Sequence, residues 1–102
     1  MTQIKLSKEQ RQYLKSLAHH LKPVILIGDK GITDTVITEC KKSIAHHELM
    51  KIRISGADRE ARNAAIVQLE DSINATVIQK IGHVVTFFRR NHAEPKISFT
   101  GI

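Results

Sequence analysis

Two apolar runs of strand length, Val24–Ile27 and Leu49–Ile54, each pass through a glycine-containing turn into a stretch of helical period. Each such unit brings a strand back beside its predecessor, by a right-handed crossover and in parallel. Val24-Ile25-Leu26-Ile27 is apolar at every position, the pattern of a strand covered on both faces. Leu49–Ile54 alternates instead: Met50, Ile52 and Ile54 point one way, Lys51 and Arg53 the other. One face of that strand is core and the other is wet and basic.

The remaining pattern completes the order. Ser7 and Gln10 have capping-box spacing, with Leu6 ahead of them as a staple. Leu14, Leu17, Ala18 and Leu21 then recur at helical spacing, which predicts a helix over 8–21 stopped by Pro23. Ile32, Val36, Ile37, Cys40 and Ile44 trace a second helix, capped by Thr33 or Asp34. Ala61, Ala65, Ile66, Leu69 and Ile73 trace a third, which Asp58 opens and Asn74 closes. Residues 75–81 and 84–88 are β-rich, and Gly82-His83 suits a two-residue hairpin turn. The expected fold is α/β: a compact single domain of order α-β-α-β-α-β-β, with a mixed four-stranded sheet packed by helices. The domain is placed at 1–90. Residues 91–102, with Pro95 and no period, form a tail expected to be loosely attached, with a short extended piece at 97–99.

The chain has 102 residues, enough for one domain with its own core. It contains no run of eighteen apolar residues and no apolar leader, so neither a membrane span nor a signal peptide is expected. Its single cysteine, Cys40, falls in the apolar stripe of the second helix and reads as a buried structural thiol. A cytoplasmic monomer is the expected form. Sixteen Lys and Arg against ten Asp and Glu give +6, with a pI near 9.8. That balance suits a polyanion partner where the charge is clustered.

Gly28-Asp29-Lys30-Gly31 lies where the first strand hands over to the second helix. Two glycines three apart let another backbone approach closely, the adjacent helix start offers unpaired N–H groups, and Lys30 adds a full charge. Such a loop is suited to hold nucleic-acid backbone; the alternative is a tight turn in which glycine only relieves strain. Lys8, Arg11, Lys15, His19 and Lys22 fall within about 80° of one helix face, a basic ridge. Lys51 and Arg53 on the wet sheet face, and Arg89-Arg90 at the last strand's exit, extend the candidate surface.

Chemistry finds little support. No Gly-Lys-Ser/Thr follows the loop, and a third glycine is missing, so it is neither a Walker A loop nor a dinucleotide fingerprint. His19-His20 and His46-His47 are adjacent on helical stretches, where side chains diverge by about 100° and cannot hold one ion together. Asp34, Asp58 and Glu60 fall at or near first helical turns, where capping and the dipole account for them. No catalytic residue, metal, cofactor or small-molecule substrate is expected. Aromatic content is 4%, and of the adjacent Phe87 and Phe88 one is expected inward and one outward, which argues against a stacking platform.

Taken in order, Leu14-Lys15-Ser16-Leu17-Ala18-His19, Lys22-Pro23-Val24, Ile27-Gly28 and Gly31-Ile32-Thr33 form an extended match. His46-His47-Glu48-Leu49-Met50-Lys51-Ile52, Asp58-Arg59-Glu60, and Gln79-Lys80-Ile81-Gly82 through Phe88-Arg89-Arg90 continue it. Over about residues 5–90 the chain resembles the CRM domain family (chloroplast RNA splicing and ribosome maturation), in particular its bacterial stand-alone, YhbY-type members. The resemblance implies a fold similar to the C-terminal domain of translation initiation factor 3. It also implies RNA binding and association with precursors of the large ribosomal subunit through rRNA. The family's loop carries over onto Gly28, Asp29, Lys30 and Gly31, where the Asp29 carboxylate would oppose a phosphate unless it turns away. A nucleoid-type DNA-binding protein, or a protein-interaction module whose glycine loop is only structural, are the alternative readings.

Overall fold

The computed structural model describes residues 5–28, 30–56 and 58–99. Seven elements follow in the expected order: α1 (Lys8–Ala18), β1 (Pro23–Ile27), α2 (Asp34–His47), β2 (Leu49–Ile54), α3 (Arg59–Ile73), β3 (Thr76–Ile81) and β4 (Val84–Phe88). Local chemistry sets the helix starts. The Ser7 hydroxyl accepts the Gln10 N–H at 3.0 Å while the Gln10 side chain accepts the Ser7 N–H at 2.9 Å, a closed capping box. Thr33 and Asp58 accept from Val36 N and Ala61 N in the same way. Asn74, in the left-handed conformation, ends α3.

Helix α1 stops earlier than its periodicity predicts. His20 and Leu21 donate to carbonyls three residues back, tightening the last turn, and Pro23 disfavours helix at Lys22. Leu21 and Lys22 therefore lie in the connection to β1, and the basic ridge is shortened by its last member.

The sheet order is β1-β2-β4-β3. β1 and β2 are parallel, as their crossover requires, and β4 is antiparallel to both β2 and β3. The second crossover does not place β3 beside β2. β4 turns back through the Gly82-His83 hairpin and occupies the gap between them. Gly82 has φ of 58° while His83 is not left-handed, the pattern of a turn with positive φ only at its first central residue.

Each sheet face carries a packed cluster, the second over only part of its area. On one, Ile25, Ile27, Met50, Ile52, Ile54, Val85 and Phe87 pack with Cys40 and Ile44 of α2 and Ile66, Leu69 and Ile73 of α3. On the other, Leu49, Ile78 and Phe88 pack with Leu6, Leu14 and Ala18, joined by Leu17, Ile97 and Phe99. Phe87 and Phe88 are accordingly both buried, at 0% and 1% exposure, because α1 and the chain end roof the face on which an exposed ring was expected.

The tail is equally unlike its expectation. The fully buried Glu48 carboxylate accepts the N–H groups of Asn91 at 2.7 Å, Lys96 at 2.6 Å and Ile97 at 2.8 Å. Residues 91–99 are thus pinned to the C-terminal end of α2. No segment of 97–99 is a strand; Phe99 packs edge-on to Tyr13 and Phe88 instead. β1 also departs from its pattern. It is an edge strand, and Val24 and Leu26 are exposed, so its unbroken apolar run does not mean cover on both faces.

Candidate nucleic-acid interface

Parallel β1 and β2 deliver their C-terminal ends to one end of the sheet, so the turns leading to α2 and α3 lie side by side there. The β3–β4 hairpin joins them: His83 O accepts Ile54 N at 2.8 Å, and Ile27 O accepts Ser55 N at 2.8 Å. Within the glycine loop, Gly31 N donates to Gly28 O at 3.0 Å and closes a four-residue turn. Its two glycines differ. Gly31 has φ of 70°, a conformation that disfavours other side chains. Gly28 has no such φ, and a Cβ there would meet nothing within 4 Å. The fold does not require glycine at 28, whereas close approach by an outside backbone would. Lys30 is exposed beside it. Asp29 lies outside the described residues.

The starts of α2 and α3 point their N–H ends to this same edge, where Asp34, Asp58 and Glu60 temper the positive potential. Full positive charge comes from side chains. Arg59, Arg62 and Lys80 line a cleft of about 260 Å³ with Asn63, Ile66 and Gly82, beside the hairpin. The Arg62 guanidinium lies 3.2 Å from His83 Nδ1, which also lies 3.1 Å from Ile54 O; a neutral ring satisfies one of these contacts at a time. Sequence reasoning missed this cleft. Arg59 and Arg62 share one face of α3 by their spacing, but only the hairpin brings Lys80 to them.

On the α1 side, the half of the sheet nearest the loop is uncovered. Register places Leu26, Arg53, Val84 and Ile81 in one row across all four strands. Pro23, Lys51, Thr86 and Gln79 form the next row, and a cleft of about 230 Å³ lies over both. Arg53 is exposed here. Lys51 is half-buried and donates to Leu21 O at 3.1 Å, tying down the α1–β1 connection while remaining on the wet face.

The other candidate residues are not gathered at this end. Lys8 and Lys15 are exposed on α1, and Lys22 is exposed in the following connection. Arg11 is half-buried and donates to Val77 O at 3.4 Å, helping hold α1 against β3. Arg89 and Arg90 leave the far end of β4, roughly 15 Å away by strand rise. Arg90 is engaged inside the fold: it pairs with Glu48 at 3.5 Å, donates to Ile97 O, and sits 5.1 Å over the Phe99 ring. Arg89 lines a separate cleft of about 210 Å³ with Ala45, Asn91 and His92. Among the described residues, the Arg90–Glu48 pair is the only ion pair, and no three His, Cys, Asp or Glu side chains are grouped to hold a metal. No helix among them is long and apolar enough to cross a membrane.

Comparison with known proteins agrees with this architecture. A Haemophilus influenzae protein described as an RNA-binding protein is 42% identical over 84 residues, covering 82% of this chain and 85% of that protein. A Pseudomonas aeruginosa protein, described as a probable RNA-binding protein, is 34% identical and covers 84% and 83%. Among solved structures, the hypothetical protein SAV1595 from Staphylococcus aureus shares the fold with a TM-score of 0.77, at 24% identity and over 92% of this chain and 98% of that one. The model of the CRS1 / YhbY (CRM) domain matches residues 6–89, and the chain belongs to that family.

Proposed function

We propose that this chain is a non-catalytic RNA-binding protein that contacts rRNA phosphates in precursors of the large ribosomal subunit and assists their assembly in the cytoplasm. One observation carries the reading: the Gly28–Gly31 turn, whose Gly28 the fold itself does not require, shares one sheet end with Arg53, Arg59, Arg62 and Lys80. The turn admits a sugar–phosphate backbone, Lys30 meets a phosphate, and the surrounding cations extend the footprint. Kinship with proteins described as RNA-binding favours RNA over duplex DNA as the polyanion.

Ultraviolet crosslinking in cells, followed by sequencing of the attached RNA, tests the ribosomal part. Reads concentrated on large-subunit rRNA are expected; reads spread over mRNA would overturn it. In solution, a Lys30→Glu/Lys80→Glu variant loses retention on rRNA fragments at fixed salt. Unchanged retention would remove this end of the sheet from the interface, and tighter binding to duplex DNA would favour the nucleoid reading.

A further inference from the structure

The uncovered half-sheet is unusually apolar for a wet surface. Leu26 is 69% exposed, Ile81 65% and Val24 50%, while Val84 completes the row between Ile81 and Arg53. These side chains lie on the face that α1 leaves bare, next to the glycine turn, with Leu26 only two residues before Gly28. We propose that this half-sheet is a docking site for unstacked nucleobases of single-stranded RNA, whose backbone the Gly28–Gly31 turn holds. The proposal rests on the RNA-binding reading and adds what that reading lacks, a place for the bases.

The chemistry of the two rows selects the occupant. Arg53 sits centrally in the first row, between Leu26 and Val84, and offers a guanidinium plane on which a base stacks. Gln79, half-buried in the next row, offers an amide to base edges. The rows are about 7 Å apart and about 14 Å wide, from the rise of a strand and the spacing of four strands. No carboxylate belongs to either row, so the face does not repel a polyanion. An aliphatic floor, a cation and a neutral hydrogen-bonding group suit a base attached to phosphate. They suit less well a purely apolar helix, which would desolvate Arg53 and give it no partner. Aromatic rings are unnecessary to this arrangement. The roofing of Phe88 by α1 and Phe99 removes the ring that a conventional platform would use.

The test compares a short oligouridylate with an abasic strand of equal length at one salt concentration, using the full chain and a Leu26→Ser/Ile81→Ser variant. Both positions are exposed, and an unchanged melting curve verifies the fold. Affinity for oligouridylate is expected to fall about tenfold in the variant, while affinity for the abasic strand and its salt dependence stay the same. As a second readout on the unmodified chain, methyl resonances of Leu26, Val84 and Ile81 shift with oligouridylate and not with the abasic strand. Equal loss for both strands, or no loss, overturns the base-docking proposal while leaving phosphate binding intact. If the unmodified chain binds neither strand, the RNA-binding reading falls and this proposal with it. A dimer that dissociates in the double variant, with RNA affinity unchanged, would assign the face to a second copy of the chain and overturn the proposal.

Discussion

Glu48 and Asn91, 43 residues apart, are joined by a 2.7 Å hydrogen bond from the Asn91 N–H to a carboxylate with no solvent exposure. With Lys96 N, Ile97 N and Arg90 on the same group, Glu48 organises residues 90–97. Glu48→Ala should lower unfolding free energy by about 3 kcal/mol or more, since several part-buried donors lose one fully buried charged acceptor. That corresponds to a midpoint drop of at least about 10 °C for a domain this size. Truncation after Arg90 should also destabilise, because Ile97 and Phe99 leave the second cluster. Calorimetry on both forms checks this; a truncated chain as stable as the full one would contradict it.

The two loop glycines should separate function from folding. Gly28→Ala adds a Cβ into open space and leaves the melting temperature within about 2 °C, yet weakens RNA binding severalfold by obstructing backbone approach. Gly31→Ala forces an alanine to φ of 70° and should cost about 1–2 kcal/mol of stability. Thermal melts and filter binding on the two proteins give the comparison. Equal effects on stability would return the loop to a purely structural role.

Charge removal should divide the basic residues into two groups. Lys30→Ala and Lys80→Ala are each expected to reduce the slope of log affinity against log salt by about 0.7 with single-stranded RNA, one phosphate apiece. Arg90→Ala should leave that slope unchanged and lower stability instead, since its guanidinium serves Glu48, Ile97 O and Phe99. Binding isotherms over a salt series, paired with melts, decide both.

Cys40 is fully buried in α2. Burial, helped by the nearby Glu39 charge, pushes its thiol up to about 11 from 9.0. The folded state then holds this proton more tightly than the unfolded chain. Its stabilising effect is complete below pH 9 and fades as pH rises towards 11, by about 2 kcal/mol. A Cys40→Ala variant lacks that component, so the stability gap between the two proteins should narrow across this range. Denaturant titrations at pH 8 and above the thiol's folded range test the sign. For the same reason the native thiol should resist alkylation at neutral pH until the chain unfolds.

Much of the fold was legible because its causes are local. Ser7-Gln10, Thr33, Asp58 and Asn74 cap helices with their own neighbours, and Gly82-His83 dictates a turn within four residues. What was illegible depended on which surfaces meet. Val24 and Leu26 look like core from composition, but they lie on the face of an edge strand that no helix covers. One of Phe87 and Phe88 looks exposed from alternation, but α1 and a tail without periodicity bury Phe88 while α2 and α3 cover Phe87. In the candidate interface, Lys30 and Arg53 were visible from their placement beside the loop and on the wet face. Arg59, Arg62 and Lys80 were not, because a hairpin brings the last to the first two. Arg90 carries the charge expected of an RNA contact, and the buried Glu48 draws it inward.

The sequence by itself determined seven elements, their order, the helix caps and a glycine turn ahead of a helix, since each follows from short-range sterics and hydrogen bonding. Only the tertiary structure decided that β4 lies between β2 and β3, that Ile97 and Phe99 pack against the second cluster, and which cations share an edge. Those outcomes depend on burying apolar faces and pairing one carboxylate across distant segments, and no local pattern records such pairings.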